Sequence, residues 1–242
     1  MLTTLAAAPV GVPLVIDRIA GSGFASRLAR LGLYEGTGLT RLDDSVAIGP
    51  AKIVGPGGEV TLGGWLAAKV VMHRDDDRRL PLLECAPGDS GHVEGVTGHR
   101  DLEEDLAVLG VGEGDRITFL RRLPPMLYKA VVDGKERIQI NEGLAAKIHG
   151  ETPSGPAQFC SVGVGEAFTV RRILAGAHAG ESLAALDVKP GSRLTLTQVA
   201  AGQVVHFSHK TPVVCSTRDG LRLYFQEKDA ARIYVSSCAL PG

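Results

Sequence analysis

The chain has 242 residues, and its 26 lysines and arginines nearly balance its 27 aspartates and glutamates. This balance disfavours a nucleic-acid partner, and the aromatic content of 5% disfavours stacking on single-stranded bases. The longest apolar runs are interrupted before the ~20 residues that a transmembrane helix requires, so we expect no membrane span. The N-terminus lacks the basic segment of a signal peptide, which favours a cytoplasmic location.

The dominant feature of the sequence is one pattern that occurs three times. Three glycines that precede the first apolar run of each copy lie 77 residues apart: Gly11, Gly88 and Gly165. Three leucines of a helical pattern follow at steps of 78 and 77 residues: Leu28, Leu106 and Leu183. A period of this length indicates three copies of one small domain, each near the lower size limit for an independent core.

Two polar segments separate the copies, which we call repeats 1, 2 and 3. Residues 73–79 contain no apolar side chain, as expected of a solvated connector. Residues 150–156 contain Gly and Pro, which interrupt both helices and strands. We therefore predict three domains, at residues 1–73, 80–150 and 157–238.

Within repeat 1, a strand is predicted over residues 13–19 and a helix after it that ends near Gly32. Short strands follow, joined by tight turns, and residues 67–72 form the closing strand. Repeats 2 and 3 repeat this order, and each has an Asp-Gly pair, at 133–134 and 219–220, that favours a two-residue hairpin. This order predicts a mainly β fold of three tandem small barrels, each with one short α-helix after its first strand.

The helix end and glycine turn of repeat 1, residues 27–37, resemble the FeoA domain of bacterial ferrous-iron transport. Residues 109–115 and 186–192 hold the corresponding motif, so the resemblance covers almost the whole chain as three tandem FeoA-like copies. It implies an SH3-like barrel in each copy and a small cytosolic accessory protein that acts with the membrane iron-transport GTPase FeoB. Repeat 3 departs from the pattern, because Asp187 replaces the helix-ending glycine.

The most ligand-like residues are His206, His209 and Cys215. Imidazoles suit Fe(II), zinc or copper, and a thiolate favours the softer ions. Positions three apart on a strand face opposite sides, so joint metal coordination requires this segment to turn. The alternative is a solvated hairpin tip. The four cysteines show neither pairing nor repetition and are interpreted as buried or surface thiols: Cys85, Cys160, Cys215 and Cys238.

An acidic stretch surrounds the start of the helix in repeat 2. Its members are Glu94, His99, Asp101, Glu103, Glu104 and Asp105. Carboxylates at a helix N-terminus are favoured by the helix dipole, which is sufficient to explain them. Weak capture of iron is the alternative interpretation.

No nucleophile elbow and no phosphate loop is present in the sequence, so we do not expect an enzyme. The expected function is that of a non-enzymatic adaptor of bacterial ferrous-iron uptake, binding a protein partner such as the FeoB GTPase. The three linked copies would then act as an intramolecular pseudo-trimer or as a multivalent adaptor. The alternative is a module that senses or buffers Fe(II) or another divalent transition metal; no other cofactor is expected.

Overall fold

The computed structural model describes residues 2–44, 48–98, 100–174, 176–202 and 212–237, with only the backbone for 176–178. These residues form three six-stranded antiparallel sheets. Sheet A consists of β1 (Leu2–Thr4), β2 (Pro13–Ile19), β3 (Gly38–Leu42), β16 (Val213–Thr217), β17 (Arg222–Phe225) and β18 (Ile233–Ser237). Sheet B consists of β4 (Ala51–Gly55), β5 (Gly58–Leu62), β6 (Val70–Arg74), β7 (Arg79–Pro81), β8 (Ser90–Val96) and β9 (Arg116–Arg122). Sheet C consists of β10 (Met126–Val132), β11 (Glu136–Asn141), β12 (Ile148–Thr152), β13 (Gly155–Gln158), β14 (Ala167–Ile173) and β15 (Arg193–Ala201).

Each sheet combines strands from two repeats. The strand orders are β17-β16-β3-β2-β18-β1, β5-β4-β9-β8-β6-β7 and β11-β10-β15-β14-β12-β13, which is one arrangement in all three sheets. Repeat 1 contributes its hairpin β4-β5 and its closing strand β6 to β8 and β9 of repeat 2. Repeat 2 contributes β10, β11 and β12 to repeat 3 in the same way, and repeat 3 returns β16, β17 and β18 to repeat 1. The exchange of strands is therefore cyclic.

The mainly β prediction is confirmed, and the pairings add one detail that the repeat did not show. A register shift occurs where each closing strand meets the first strand of the next repeat: between Val71 and Met72, between His149 and Gly150, and between Tyr234 and Val235. No pairing between the described strands closes a sheet, so the SH3-like barrel stays a prediction. The predicted domains at 1–73, 80–150 and 157–238 also stay predictions. Each sheet contains strands from two of them.

The predicted helix after the first strand of each repeat is present. These helices are α1 (Ser22–Arg30), α3 (Arg100–Val108) and α5 (Gly176–Ala184). A second helical turn precedes each closing strand: α2 (Gly64–Lys69), α4 (Glu142–Ala145) and α6 (Glu227–Ala230). The prediction of a strand over 67–72 is thus wrong at its start, since Ala67, Ala68 and Lys69 are helical and β6 begins at Val70. Alanine and lysine are strong helix formers, which accounts for the difference.

All three long helices end in the same capping motif. The backbone N–H groups of Leu33, Val111 and Val188 each donate, at 2.9 Å, to the carbonyl oxygen five residues earlier. The residue before each donor has a positive φ: Gly32 (80°), Gly110 (70°) and Asp187 (56°). This is the Schellman motif, which requires a left-handed residue that glycine adopts without steric cost. Repeat 3 keeps the motif although its left-handed residue carries a side chain.

We expect Asp187→Gly to raise the free energy of unfolding by about 0.5–1 kcal/mol, because glycine removes the cost of a left-handed non-glycine residue. Chemical denaturation of the full chain measures the change. The matched variant Gly110→Ala introduces a Cβ at the equivalent position of repeat 2 and should destabilise by a similar amount. A loss of stability in Asp187→Gly would show that the aspartate makes a compensating contact.

Sheets A and B pack directly against each other around a buried ion pair. Nζ of Lys69, at the end of α2, lies 2.8 Å from Oδ2 of Asp229 in α6, and their side chains are 3% and 0% exposed. Nearby, Nε of Arg27 on α1 donates to the carbonyl oxygen of Gly98 at 2.8 Å. The hydroxyl of Thr97 donates to the carbonyl oxygen of Tyr224 at 3.1 Å. Helices and turns of repeats 1 and 3 are thereby fixed to sheet B.

Sheets B and C are joined by a buried side-chain amide. Nε2 of Gln158 donates to the carbonyl oxygens of Thr61, at 2.8 Å, and Ala146, at 2.7 Å, while its Oε1 accepts from the backbone N–H of Thr61 at 2.8 Å. Gln158 lies on β13 and Thr61 on β5, so this amide links edge strands of two sheets. Buried polar groups of this kind are stabilising only when their hydrogen bonds are made, and three are made here.

Candidate metal centre

Two histidines face each other across the junction of repeats 1 and 2. His73 lies on β6 and His92 lies directly opposite on β8, as partners in the antiparallel register. Directly opposed residues place their side chains on the same face of a sheet. Their ring centroids are 4.8 Å apart, and the planes are inclined by 49°. The two imidazoles are therefore close enough to share a ligand.

Glu94 adds a carboxylate to the same face. It lies two residues after His92 on β8, and alternate residues of a strand point to one side. Its Oε2 atom is 3.3 Å from Nδ1 of His73 and 3.5 Å from Nε2 of His92. One donor atom from each of the three side chains can be chosen so that all lie within 4.8 Å of one another.

A second carboxylate holds His73 from its other side. Oδ1 of Asp77 is 2.8 Å from Nε2 of His73, in the turn between β6 and β7. Asp77 has a φ of 68°, a left-handed conformation that aspartate tolerates better than most side chains. His73 thus has one ring nitrogen directed at Asp77 and the other at Glu94. A carboxylate on the outer ring nitrogen fixes the orientation of a ligating imidazole.

The charges around this cluster are largely paired. Arg74 binds Asp76 at 3.3 Å and Asp89 at 3.1 Å, and Arg116 binds Asp75 at 2.6 Å. The Arg116 guanidinium holds the pKa of the Asp75 carboxyl below its usual range. Arg78 also binds Asp76, at 2.7 Å, and Arg79 lies opposite His73 in the strand register. With Glu94 and Asp77, the five carboxylates here still outnumber the four arginines, which favours a cation.

The cluster is partly open to solvent. The side chains of Glu94, His73 and His92 are 21%, 26% and 47% exposed. Two imidazoles and one carboxylate form a donor set that suits Fe(II) and zinc, and three protein ligands leave positions for water or a further ligand. These residues could therefore hold a divalent transition metal near the surface.

Sequence reasoning missed this cluster, because it assigned His73 to a connector and Glu94 to an acidic stretch. The two histidines are 19 residues apart, and only the pairing of β6 with β8 brings them together. One signal was available: His92 and Glu94 alternate on a predicted strand and so share a face. The position of His73 opposite them requires the register between two repeats, which the sequence does not contain.

The structure gives a different setting for the predicted ligand residues. His206 and His209 lie outside the described residues. Cys215 is on β16 with 0% exposure, among apolar side chains of sheet A, and burial raises the pKa of its thiol to about 12. A buried thiol with a raised pKa supplies little thiolate for metal binding. A joint site of these three residues stays a prediction.

The acidic stretch of repeat 2 is divided between different environments. Glu103 on α3 pairs with Arg30 of α1 at 2.7 Å, which joins helices of repeats 1 and 2. Glu104 pairs with Arg100 one helical turn earlier at 3.2 Å. Asp105 is buried, with 4% exposure. Glu103 and Glu104 thus pair with arginines, whereas Glu94 belongs to the histidine cluster on the sheet. His99 lies outside the described residues.

Comparison with known protein families gives a match for one of the three repeats. Residues 80–152 match the FeoA domain. The match begins in β7 and ends in β12, so it includes His92 and Glu94 but not His73. FeoA is a non-catalytic accessory domain family, and the match points to a role in ferrous-iron transport. The FeoA domain resemblance of repeats 1 and 3 stays a prediction.

Neither the curated proteins nor the solved structures gave a match. Among the residues that the structure describes, no helix is long and apolar enough to cross a membrane.

Proposed function

We propose that the chain is a non-enzymatic adaptor of bacterial ferrous-iron uptake that binds a protein partner such as a FeoB-type membrane GTPase. The observation that carries this proposal is the FeoA domain match at residues 80–152. The three repeats would present related surfaces to the partner, and linked binding sites raise the effective concentration of one another. The proposal includes a cytoplasmic location, where the soluble part of such a GTPase is accessible.

A repeated turn supports binding to a protein. The residue before each of the glycines Gly11, Gly88 and Gly165 is apolar and exposed: Val10, Pro87 and Val164. These glycines have φ values of 74°, 92° and 82°. Their backbone N–H groups donate at 2.7–2.8 Å to carbonyl oxygens at the equivalent positions 41, 119 and 196. Three rigid turns therefore display an apolar side chain to solvent, and rigid apolar anchors bind at low entropic cost.

The test is the association of the purified chain with a detergent-solubilised FeoB-type GTPase, measured by biolayer interferometry in buffer with EDTA. We expect saturable association, weakened by about tenfold or more in Val10→Asp/Val164→Asp, because a charge is introduced at two anchor positions. Val199→Asp is the matched control, since Val199 is also exposed but lies on β15 rather than at a turn. Absence of association, in the intact chain, would overturn the proposal.

A further inference from the structure

We propose that His73, His92 and Glu94 bind a divalent transition metal ion, and that the bound ion fastens the closing strand of repeat 1 to the first strand of repeat 2. His73 belongs to β6 and the other two residues to β8. A metal bound by all three therefore bridges the exchanged strands. The inference concerns metal binding and does not depend on the proposed protein partner.

In sheet C, the three positions equivalent to His73, His92 and Glu94 hold side chains that form a different interaction. The residue equivalent to His73 is Glu151, and Thr169 lies opposite it, as His92 does in sheet B. Arg171, two residues after Thr169, is equivalent to Glu94. Its Nη2 atom is 2.6 Å from Oε2 of Glu151. The junction of repeats 2 and 3 is thus bridged across the strands by an ion pair.

In sheet A, a hydrogen bond links the strands at these positions. Ser236 on β18 lies opposite Val15 on β2, in the register that pairs His73 with His92. Asp17, two residues after Val15, accepts a hydrogen bond from the hydroxyl of Ser236 at 3.1 Å. Each exchanged strand pair is therefore linked by side chains at one equivalent place, and in sheet B those side chains form a metal donor set.

The geometry in sheet B suits coordination better than direct pairing. The 3.3 Å and 3.5 Å contacts of Glu94 with the imidazoles are longer than good charge-assisted hydrogen bonds. Two ligand atoms that each lie about 2.0–2.2 Å from one ion are separated by a distance of this size, so Oε2 of Glu94 could share an ion with either imidazole. Asp77 then holds Nε2 of His73 while Nδ1 coordinates, the usual role of a carboxylate behind a ligating histidine.

The test uses the full chain, stripped with EDTA and exchanged into metal-free buffer. Cobalt(II) titration followed by visible absorption reports an inner coordination shell, and zinc competition gives the affinity. We expect one equivalent to bind in micromolar or tighter range, with a loss of about a hundredfold in His92→Ala and Glu94→Gln. Asp77→Asn should weaken binding by about 10–100-fold, since it removes only the orienting carboxylate. Ferrous iron, added anaerobically, should compete with cobalt.

Two control variants distinguish metal binding at this site from metal binding by other histidines. His149→Ala removes a histidine of the equivalent closing strand β12, and His206→Ala/His209→Ala removes the sequence-predicted pair; both should retain full affinity. Zinc should raise the melting temperature of the wild type and of these controls, but not of His92→Ala. Binding only at millimolar metal, or binding unchanged by His92→Ala and Glu94→Gln, would overturn the proposal.

A gain of binding provides an independent measurement. Val15→His/Asp17→Glu/Ser236→His places the same donor set at the equivalent positions of sheet A. We expect a second equivalent of cobalt to bind, with the absorption spectrum of the first. A stoichiometry that stays at one in the folded triple variant would overturn the proposal that this cross-strand arrangement of donors binds the metal.

Discussion

Replacing Lys69 by methionine should lower the free energy of unfolding by about 3–5 kcal/mol, because it leaves the buried carboxylate of Asp229 without its ammonium partner. The two charges are 2.8 Å apart and almost completely removed from solvent. Burial also lowers the pKa of Lys69, and the hydrogen bond to Asp229 opposes that shift. Urea denaturation of the full chain, monitored by circular dichroism, measures the loss.

The exposed ion pair between Arg171 and Glu151 is the matched control. Arg171→Met removes a contact of 2.6 Å between side chains that are 59% and 50% exposed, so it should cost no more than about 1 kcal/mol. A second variant, Lys69→Met/Asp229→Leu, removes both buried charges and should recover much of the loss. Equal effects of Lys69→Met and Arg171→Met would contradict the view that the buried pair stabilises the contact between sheets A and B.

Replacing Gly150 by alanine should destabilise the chain by about 3 kcal/mol or more, at the upper end of the cost of overpacking. An added Cβ on Gly150 would collide with the carbonyl oxygen of Thr169 and lie 2.5 Å from Cζ of Phe168. Gly150 is on β12 and Phe168 on β14, so the collision falls between strands of repeats 2 and 3. The melting temperature and the urea midpoint should both fall.

Gly180→Ala is the control for this variant. Gly180 lies in α5, and an added Cβ there would meet no atom within 4 Å. Alanine is the better helix former, so this variant should be stabilised by up to about 1 kcal/mol. If Gly150→Ala were as stable as the wild type, the close approach of β12 to β14 would be wrong.

The features that recur with the repeat were predictable from the sequence, since each depends on residues close in the chain. The helix ends at Gly32 and Gly110 follow from local capping chemistry, and the presence of turns at the two Asp-Gly pairs follows from turn chemistry. The positive φ values of Asp133 and Gly134, 48° and 73°, are left-handed values that aspartate and glycine tolerate in turns. The predicted two-residue loops are wrong, because three residues separate the paired Val132 and Glu136 and five separate Ser216 and Arg222.

The strand exchange was not predictable, because equivalent repeats offer equivalent partners. A closing strand makes similar main-chain hydrogen bonds with the first strand of its own repeat or of the next. Side chains that differ between repeats distinguish the two, as Gly150 and Phe168 show. If β12 paired with β8 of its own repeat, Gly91 would take the place that Phe168 has on β14. Neither Gly150 nor Gly91 would then have a side chain to fill the space between the strands. The histidine cluster depends on the same choice and was missed for the same reason.

The cyclic exchange determines when each sheet can be completed during synthesis of the chain. The strands β1, β2 and β3 leave the ribosome first, but β18, which lies between β1 and β2, leaves last. Sheet B is complete once residue 122 has emerged and sheet C once residue 201 has emerged. At about 5–20 residues per second, the last strand of sheet A emerges roughly 10–40 s after β3. During this interval its hydrogen-bonding edges are open to other nascent chains, and a chain released before residue 213 would keep them so.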